Sequence, residues 1–236
     1  MSADKLVAIH QPNFFPWLGY FNKLARADIF IVLDNVQFPK TGGTWMNRVR
    51  LSLGGKVDWM SMPVVRSYHG LRMVREMKIN NEVPWRNKLL RSIEQSYGRA
   101  PYFQTIFPLL IDLIGNPTDR LAEFNLKTIA TLVSALGLKH AEVVLGSDLN
   151  VQGQATDLLI DIVKVVGGIA YLCGGGAGGY QEDEKFASAG VKLVYQQFEH
   201  PTYPQANLAQ FHPGLSIIDA LMNCGLEKTR SLITSP

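Results

Sequence analysis

A chain of 236 residues, 47% hydrophobic and 18% charged, is long enough and apolar enough to fold around a core. No apolar run approaches the roughly 20 residues of a membrane span, and two cysteines are too few for a disulfide framework or a zinc site. These features exclude disordered, membrane-spanning and disulfide-rich proteins, and predict a cytoplasmic protein without a signal peptide or a metal.

The charge is distributed unevenly along the chain. The net charge is +3, but residues 1–100 carry 15 Lys and Arg against 7 Asp and Glu, whereas residues 101–236 carry 8 against 13. A basic half favours an anionic ligand or partner, such as a phosphorylated sugar or an acidic carrier protein. A solvated surface of uneven charge explains the asymmetry equally well. Nucleic acid is not expected, because no recognition motif is present.

Two strand–helix alternations stand at opposite ends of the chain. They predict an α/β fold with one mostly parallel sheet flanked by helices, Rossmann-like or nucleotidyltransferase-like, in a single domain over residues 1–236. The predicted strands and helices of these alternations are 6–10, 17–27 and 29–33, then 142–145, 155–166, 169–173, 182–189 and 191–198.

The middle of the chain has a different pattern. Residues 47–53 and 56–62 alternate between apolar and polar around Gly54-Gly55, which predicts a β-hairpin inserted into the fold or placed at a sheet edge. Helices are predicted at 84–97, 102–114 and 117–136, and we expect this central helical segment to pack over the sheet.

Residues 10–17, His-Gln-Pro-Asn-Phe-Phe-Pro-Trp, form the densest cluster of candidate functional residues. His10 leaves a buried strand at its carboxyl end, where open α/β sheets bind their ligands, and two prolines fix the backbone that follows. This position favours His10 as a general base. A histidine satisfied by hydrogen bonds in a loop is the structural alternative. The neighbouring candidates for substrate binding are Gln11, Asn13, Trp17 and Tyr20.

Polar residues also follow the second strand. Asp34 can orient the imidazole of His10 as the buried carboxylate of a catalytic triad does, with Asn35 and Gln37 beside it as substrate contacts. An Asx-type turn at the strand end is an equally good interpretation.

Fixed cations lie a short distance downstream. Arg48 and Arg50 are two residues apart, so they share one face of the predicted strand and can clamp a phosphate or carboxylate. Trp45 and Asn47 flank them as further candidates. Outward-facing arginines of an exposed hairpin are the alternative.

A glycine-rich stretch at 173–180 joins a predicted strand to a predicted helix. The backbone N–H groups of Gly174 and Gly175 can approach a phosphate or an oxyanion, although neither a Walker nor a Rossmann motif is present. Cys173, at the strand end, is a candidate nucleophile with a lowered pKa. A small buried core residue is the alternative.

The last candidates lie near the C-terminus. His200 is a second candidate base, and Tyr203 and Gln205 are candidate substrate contacts in the same loop. Residues 216–219 are typical of a capping box at the start of a helix that ends before Gly225, so Asp219 is interpreted as structural.

These motifs, in this order, resemble the WbqC-like family. The resemblance covers nearly the whole chain and implies an enzyme of bacterial surface-polysaccharide biosynthesis, such as that of O-antigen, lipopolysaccharide or flagellar glycans. It further implies transfer of an aminoacyl group such as glycyl, or another acyl group, onto an amino sugar. The segments that carry the resemblance are 9–12, 16–21, 34–38, 45–48, 171–174, 203–205 and 216–219.

The resemblance also implies the substrates. An N-acyltransferase of this kind takes a nucleotide-linked amino sugar and a thioester, on an acyl carrier protein or coenzyme A, with no tightly bound cofactor. His10 or His200 is then the base, the N–H groups after Cys173 hold the oxyanion, and Arg48 and Arg50 hold phosphates. The family pattern has serine at the position of Cys173, which favours direct transfer over a covalent route. A ping-pong route through Cys173 and a non-catalytic sugar-nucleotide binding or scaffold protein remain the alternatives.

A looser likeness links the first strand–helix–strand segment to nucleotidyltransferase-like enzymes such as pantothenate synthetase. The His-x-Gly-His sequence that binds ATP there is absent, since residues 13–16 occupy the corresponding stretch. This likeness supports a similar architecture and argues against nucleotidyl transfer.

Overall fold

The computed structural model describes residues 5–139, 141–174, 182–206 and 208–235. The strands are β1 Lys5–His10, β2 Ile29–Val32, β3 Arg48–Leu53, β4 Lys56–Ser61, β5 Glu142–Leu145, β6 Gly168–Cys173 and β7 Lys192–Tyr195. The helices are α1 Leu18–Arg26, α2 Trp85–Tyr97, α3 Phe103–Ile114, α4 Leu121–Ala135, α5 Ala155–Val165, α6 Asp183–Ser188 and α7 Ile217–Thr234.

The chain forms two compact units that alternate along the sequence. The first unit comprises Met1–Gln11, Asn22–Asn35 and Lys139–Glu199, and the second comprises Pro12–Phe21, Val36–Leu138 and His200–Pro236. A single domain over the whole chain therefore stays a prediction. None of the described helices is long and apolar enough to cross a membrane.

The first unit is built on a five-stranded parallel sheet with the strand order β5-β2-β1-β6-β7. The central strand β1 pairs with β2, where His10 lies opposite Val32, and with β6, where Ala8 lies opposite Leu172. All four residues of β2 are buried, as the near-continuous apolar strands of parallel sheets require. The predicted α/β class with a parallel sheet is confirmed.

The second unit contains the predicted hairpin and the central helices. Strands β3 and β4 pair antiparallel around the Gly54-Gly55 turn, with Arg50 opposite Trp59. One face of the hairpin is apolar and buried, through Val49, Leu51 and Met60. Helices α2, α3, α4 and α7 complete this unit.

Helix α7 begins at the predicted cap, and its first segment ends before Gly225 as predicted, with a second helical segment beyond it. The Ser216 hydroxyl accepts a hydrogen bond of 3.2 Å from the N–H of Ile218 and caps the helix. Gly225, with φ of 72°, bends the chain there, and helical residues resume beyond it. The helix continues because Leu232 and Ile233 in its second part are buried, so packing holds the segment that the glycine interrupts.

A buried hydrogen-bond network joins three elements of the second unit. The Asp219 carboxylate, with no solvent exposure, accepts hydrogen bonds from the hydroxyls of Tyr97 at 2.8 Å and Tyr203 at 2.9 Å. The Tyr97 oxygen in turn accepts the N–H of Ser52 at 3.0 Å. Burial raises the pKa of Asp219. These contacts support the structural interpretation of Asp219 and engage Tyr203 in the same role.

Candidate functional site

The carboxyl ends of three adjacent strands bring the main candidates of the first unit together. His10 ends β1, Asp34 and Asn35 follow β2, and Cys173 ends β6, and these strands are neighbours in the order β2-β1-β6. We call this group, with Gln11 and Gly174, the carboxyl edge. The prediction that the strands ending at these residues share one sheet is confirmed.

His10 and Cys173 project from opposite faces of that sheet. Ala8 pairs with Leu172, so the next residue, Ile9, lies opposite Cys173. Paired residues of parallel strands point to the same face, and successive residues point to opposite faces. The side chain of His10 is therefore on the other face from the thiol, and the two do not form the direct histidine–cysteine pair of a nucleophilic site.

His10 is half-buried and has a defined tautomer. Its Nδ1 lies 3.1 Å from the carbonyl oxygen of Gln11, and because a carbonyl only accepts, Nδ1 carries the hydrogen and Nε2 the lone pair. Burial, and secondarily the charge of Lys23, lowers the pKa of His10 to about 3. The imidazole is therefore neutral at physiological pH and holds an added proton only weakly.

Lys23 is a candidate that the sequence interpretation missed. The side chain lies on α1, is 4% exposed, and donates a hydrogen bond of 3.0 Å from Nζ to the carbonyl oxygen of Ile9. Its Nζ also lies 5.6 Å from the centre of the Tyr171 ring. Burial lowers the pKa of Lys23 to about 8, with Cys173 opposing the shift. Strongly shifted titratable groups at the edge of a sheet are typical of functional sites.

A local signal for Lys23 does exist in the sequence. A lysine at position 23 interrupts a helical segment in which nearly every neighbour is apolar or aromatic. Its neighbour Asn22 is buried as well and accepts a hydrogen bond of 3.0 Å from Nε2 of Gln196. A polar pair on a helix without a solvated face indicates partners from the sheet.

Asp34 and Asn35 hold the turn after β5. The two carboxylate oxygens of Asp34 accept the backbone N–H and the hydroxyl of Ser147, each at 2.8 Å. Asn35 donates to the carbonyl of Gly146 at 3.0 Å, and a Cβ at Gly146 would lie 2.7 Å from Asn35 Oδ1, so the turn requires glycine. Both Asp34 oxygens are thus bound to Ser147, and the structure supports the turn interpretation over orientation of His10.

Cys173 has the environment of a core residue. It is fully buried, and its Sγ donates a hydrogen bond of 3.5 Å to the carbonyl oxygen of Val194. Burial raises the pKa of the thiol and outweighs the opposing charge of Lys23. The expected lowering of this pKa is wrong, because the thiol is enclosed rather than exposed near a helix N-terminus. Gly174 is half-buried, whereas Gly175 and Gly176 lie outside the described residues.

Residues 12–17 join β1 to α1, and hydrogen bonds from other residues of the second unit hold them in place. Asn125 donates to the carbonyl of Pro12 at 2.9 Å, and Ser216 donates to the carbonyl of Phe15 at 2.8 Å. Phe15 has φ of 40°, which is strained for a residue with a Cβ. Asn13 is 2% exposed, and neither amide atom has a hydrogen-bond partner among the described residues. A buried amide in this state suits a bound water or ligand.

Other predicted contacts lie in the second unit. Tyr20 is fully buried, and burial raises its pKa. Asn47 is buried, accepts the N–H of Thr44 and donates to the carbonyl of Met62. Both of these buried residues contribute to the structure of this unit. Gln37 is exposed and Trp17 is part-exposed, so their predicted contact with a substrate stays a prediction.

The candidates in the loop near the C-terminus differ in their contacts. Both amide atoms of Gln205 bind the backbone of His212, with the carbonyl at 2.9 Å and the N–H at 2.8 Å. His200 is half-buried in the second unit, and burial lowers its pKa. Its ring lies 3.9 Å from the position that a Cβ on Gly214 would occupy.

The hairpin carries cations and aromatic rings on one face. The Arg48 guanidinium lies 4.0 Å from the centre of the Trp59 ring, and Arg50 pairs with Trp59 across the hairpin. The Trp45 ring lies 5.0 Å from Trp59 and 5.4 Å from Trp17. We call Arg48, Arg50, Trp45 and Trp59 the hairpin face. The predicted common face of the two arginines is confirmed, and Trp59 is a component that the sequence interpretation missed.

The described residues contain no group of three or more histidine, cysteine or carboxylate side chains arranged to hold a metal ion. The nitrogen groups at the carboxyl end of the central strand are the neutral imidazole of His10 and the buried amine of Lys23. The guanidiniums of the hairpin face belong to the second unit.

Comparison with known proteins identifies a family and an uncharacterized relative. The model of the WbqC-like protein family matches residues 11–231. The uncharacterized protein Rv1507c of Mycobacterium tuberculosis is 27% identical over 225 residues, which cover 94% of this chain and 95% of that protein. No solved structure matches the chain.

Proposed function

The chain belongs to the WbqC-like protein family, and we propose that it is an N-acyltransferase. The proposed reaction moves an acyl or aminoacyl group from a thioester to the amino group of a nucleotide-linked amino sugar, in the assembly of a bacterial surface glycan. The observation that carries the proposal is the placement of a neutral imidazole and a buried amine of lowered pKa, His10 and Lys23, at the carboxyl edge.

The proposed reaction requires a proton acceptor. The amine nitrogen attacks the thioester carbonyl carbon, the C–N bond forms, and the C–S bond breaks with the electron pair on sulfur. The nitrogen loses one proton and the departing thiolate gains one. A group with a pKa near the working pH serves such a transfer best, because it can take the proton and return it.

Lys23 fits the role of this acceptor better than His10 does. The pKa of Lys23, about 8, leaves a usable neutral fraction near pH 7, whereas the pKa of His10, about 3, makes its conjugate acid too strong to hold the proton. The base is thus proposed to be Lys23.

The structural environment of Cys173 favours direct transfer over an acyl-enzyme. Its thiol is fully buried and has a raised pKa. Direct attack by the amine needs neither a thiolate nor a second chemical step.

A non-catalytic sugar-nucleotide binding protein is the second candidate. It is favoured by the hairpin face, because exposed tryptophans beside arginines can bind a nucleotide without any chemistry. Turnover separates the two candidates.

The test is thiol release from synthetic aminoacyl-pantetheine in the presence of nucleotide-linked amino sugars. We expect release of one thiol for each amide formed, and a loss of about 10²–10⁴-fold in kcat for Lys23→Met, as is typical when a general base is removed. The matched control is Lys164→Met, which removes an exposed lysine of α5. Unchanged kcat in Lys23→Met would remove Lys23 from the mechanism.

A further inference from the structure

A cleft in the second unit lies beside the hairpin face. Its volume is about 610 Å³, within the range of ligand sites. One wall is the hairpin, and the other is the segment that contains Leu208 and His212. Hairpin residues that line it include Trp45, Arg50 and Trp59. We call this the hairpin cleft.

The aromatic part of the hairpin cleft is exposed and fixed in position. Trp45 is 40% exposed and Trp59 is 38% exposed, although both are large apolar side chains. Arg48 lies over the Trp59 ring at 4.0 Å, which restrains the ring without burying it. Exposed aromatic rings in a cleft are suited to stacking with the ring of a nucleic acid base.

The charge at the hairpin cleft is unbalanced. No described carboxylate lies within ion-pair distance of Arg48 or Arg50. Lys56 also lines the cleft and pairs at 3.6 Å with Asp58, which lines it as well. The guanidinium of Arg50 therefore stays available to an anion in the cleft, and guanidinium groups bind phosphate in a bidentate geometry.

The wall opposite the hairpin is braced. Gln205 binds the N–H and the carbonyl of His212 through its side-chain amide, which fixes the backbone of a residue that lines the cleft. A cleft whose walls are already held loses little conformational entropy when it binds a ligand. This gives Gln205 a positioning role in place of the direct contact expected from the sequence.

We propose that the hairpin cleft binds a nucleoside diphosphate group, with the base stacked on Trp59 and Trp45 and the phosphates on Arg50. The inference rests on the proposed function in one respect, the choice of physiological ligand. A nucleoside diphosphate group occurs both in the acceptor, as a sugar nucleotide, and in one possible donor, coenzyme A. The chemistry of the cleft is the same for both.

The experiment measures binding of small-molecule probes to the full chain by calorimetry and by tryptophan fluorescence. The probes are UDP, dTDP, GDP, CDP and coenzyme A, with the matching nucleosides and inorganic pyrophosphate as half-ligands. We expect at least one diphosphate to bind at least tenfold more tightly than its nucleoside and than pyrophosphate, since it uses both halves of the cleft. Preference for coenzyme A assigns the cleft to the donor, and preference for another nucleotide assigns it to the acceptor.

Variants separate the two halves of the cleft. Arg50→Gln is expected to weaken binding of the diphosphate and of pyrophosphate about tenfold or more, and to leave the nucleoside almost unaffected. Trp59→Leu is expected to weaken binding of the nucleoside and of the diphosphate, but not binding of pyrophosphate. Arg91→Gln, which removes an exposed arginine of α2, is the matched control for charge. Circular dichroism checks that each variant is folded.

Three results would overturn the proposal. They are no binding of any nucleotide, pyrophosphate binding as tightly as the best diphosphate, and binding that survives both Arg50→Gln and Trp59→Leu. Failure of the proposed function looks different, because nucleotides would then bind with the expected variant effects while no thioester donor supports transfer. Conversely, acyl transfer that is unchanged in both variants would support the proposed function and would show that the hairpin cleft does not bind the substrates of that reaction.

Discussion

Nζ of Lys23 donates a hydrogen bond of 3.0 Å to the carbonyl oxygen of Ile9, the residue immediately before His10. This contact places a buried ammonium group at the carboxyl end of the central strand. Its charge adds to the burial that lowers the pKa of His10, and burial lowers the pKa of Lys23 itself. The two groups are therefore held at different pKa values, about 3 and about 8, and such separation commonly marks the division of roles in acid–base sites.

Replacing Lys23 with methionine is expected to stabilise the protein. The pKa of Lys23 is lower in the folded chain, about 8, than its ordinary 10.5, so protonation below pH 10.5 favours the unfolded chain. Methionine has a similar length and no charge. We expect the free energy of unfolding at pH 7 to rise by about 2 kcal/mol, after allowing for the lost hydrogen bond.

Urea denaturation at several pH values measures this effect. The gain in the free energy of unfolding from Lys23→Met should be constant below about pH 8 and should shrink as the pH rises toward 10.5. Lys164→Met, at an exposed position, should change stability by less than about 0.5 kcal/mol. If Lys23→Met were destabilising at pH 7, the ammonium would be part of the structural framework rather than a strained functional group.

Protonation of His10 is expected to destabilise the folded protein in acid. The pKa of His10 in the folded chain, about 3, is below the ordinary 6.5. The contribution of neutral His10 to the free energy of unfolding is therefore fully present above pH 6.5 and is lost as the pH falls toward 3. The loss should reach up to about 1.4 kcal/mol per pH unit. The His10→Gln variant should lack this slope, whereas His69→Gln, at an exposed position, should keep it.

Titration of the His10 ring by NMR checks the same point directly. We expect its ring signals to show no protonation between pH 5 and pH 8 in the folded protein. A titration centred near 6.5 would show that the ring is solvated, and would restore His10 as the candidate base.

Asp34 is expected to matter for stability more than for catalysis. Its carboxylate accepts two hydrogen bonds from Ser147, and Asp34→Ala would leave the part-buried N–H of that residue without its partner. The expected cost is about 1–3 kcal/mol, with kcat nearly unchanged. A double-mutant cycle with Ser147→Ala should show that the two changes are not additive. A large fall in kcat at unchanged stability would instead place Asp34 in the chemistry.

Cys173 is expected to be unreactive in the folded protein. The thiol is fully buried and its pKa is raised, so alkylation by iodoacetamide at pH 7 should require unfolding. Cys173→Ala should keep the turnover of the unmodified protein. Trapping of an acyl group on Cys173, detected by mass spectrometry after incubation with the thioester alone, would establish the ping-pong route instead.

The α/β class and the hairpin could be predicted because their signals are local. Apolar runs such as β2 indicate buried parallel strands, and the Gly54-Gly55 turn between alternating segments indicates a hairpin. The helix cap at Ser216 is likewise a short-range signal. Each of these depends on residues only a few positions apart.

The arrangement of the candidate site depends on pairing between distant segments. Whether His10 and Cys173 share a face is set by the register of β1 against β6, which no local pattern encodes. Lys23, on α1, was missed because its partner is a backbone carbonyl on β1. Trp59 was missed because its contact with Arg48 forms only when the hairpin closes.

The most direct test of the proposed function is mass spectrometry of a nucleotide-linked amino sugar incubated with the protein and an aminoacyl or acyl thioester. We expect a gain of one acyl mass on the sugar amine, with one thiol released for each amide, and loss of this product in Lys23→Met. If the sugar nucleotide binds but no thioester on pantetheine, coenzyme A or an acyl carrier protein yields an amide, the protein is a sugar-nucleotide binding protein and the acyltransferase proposal is wrong.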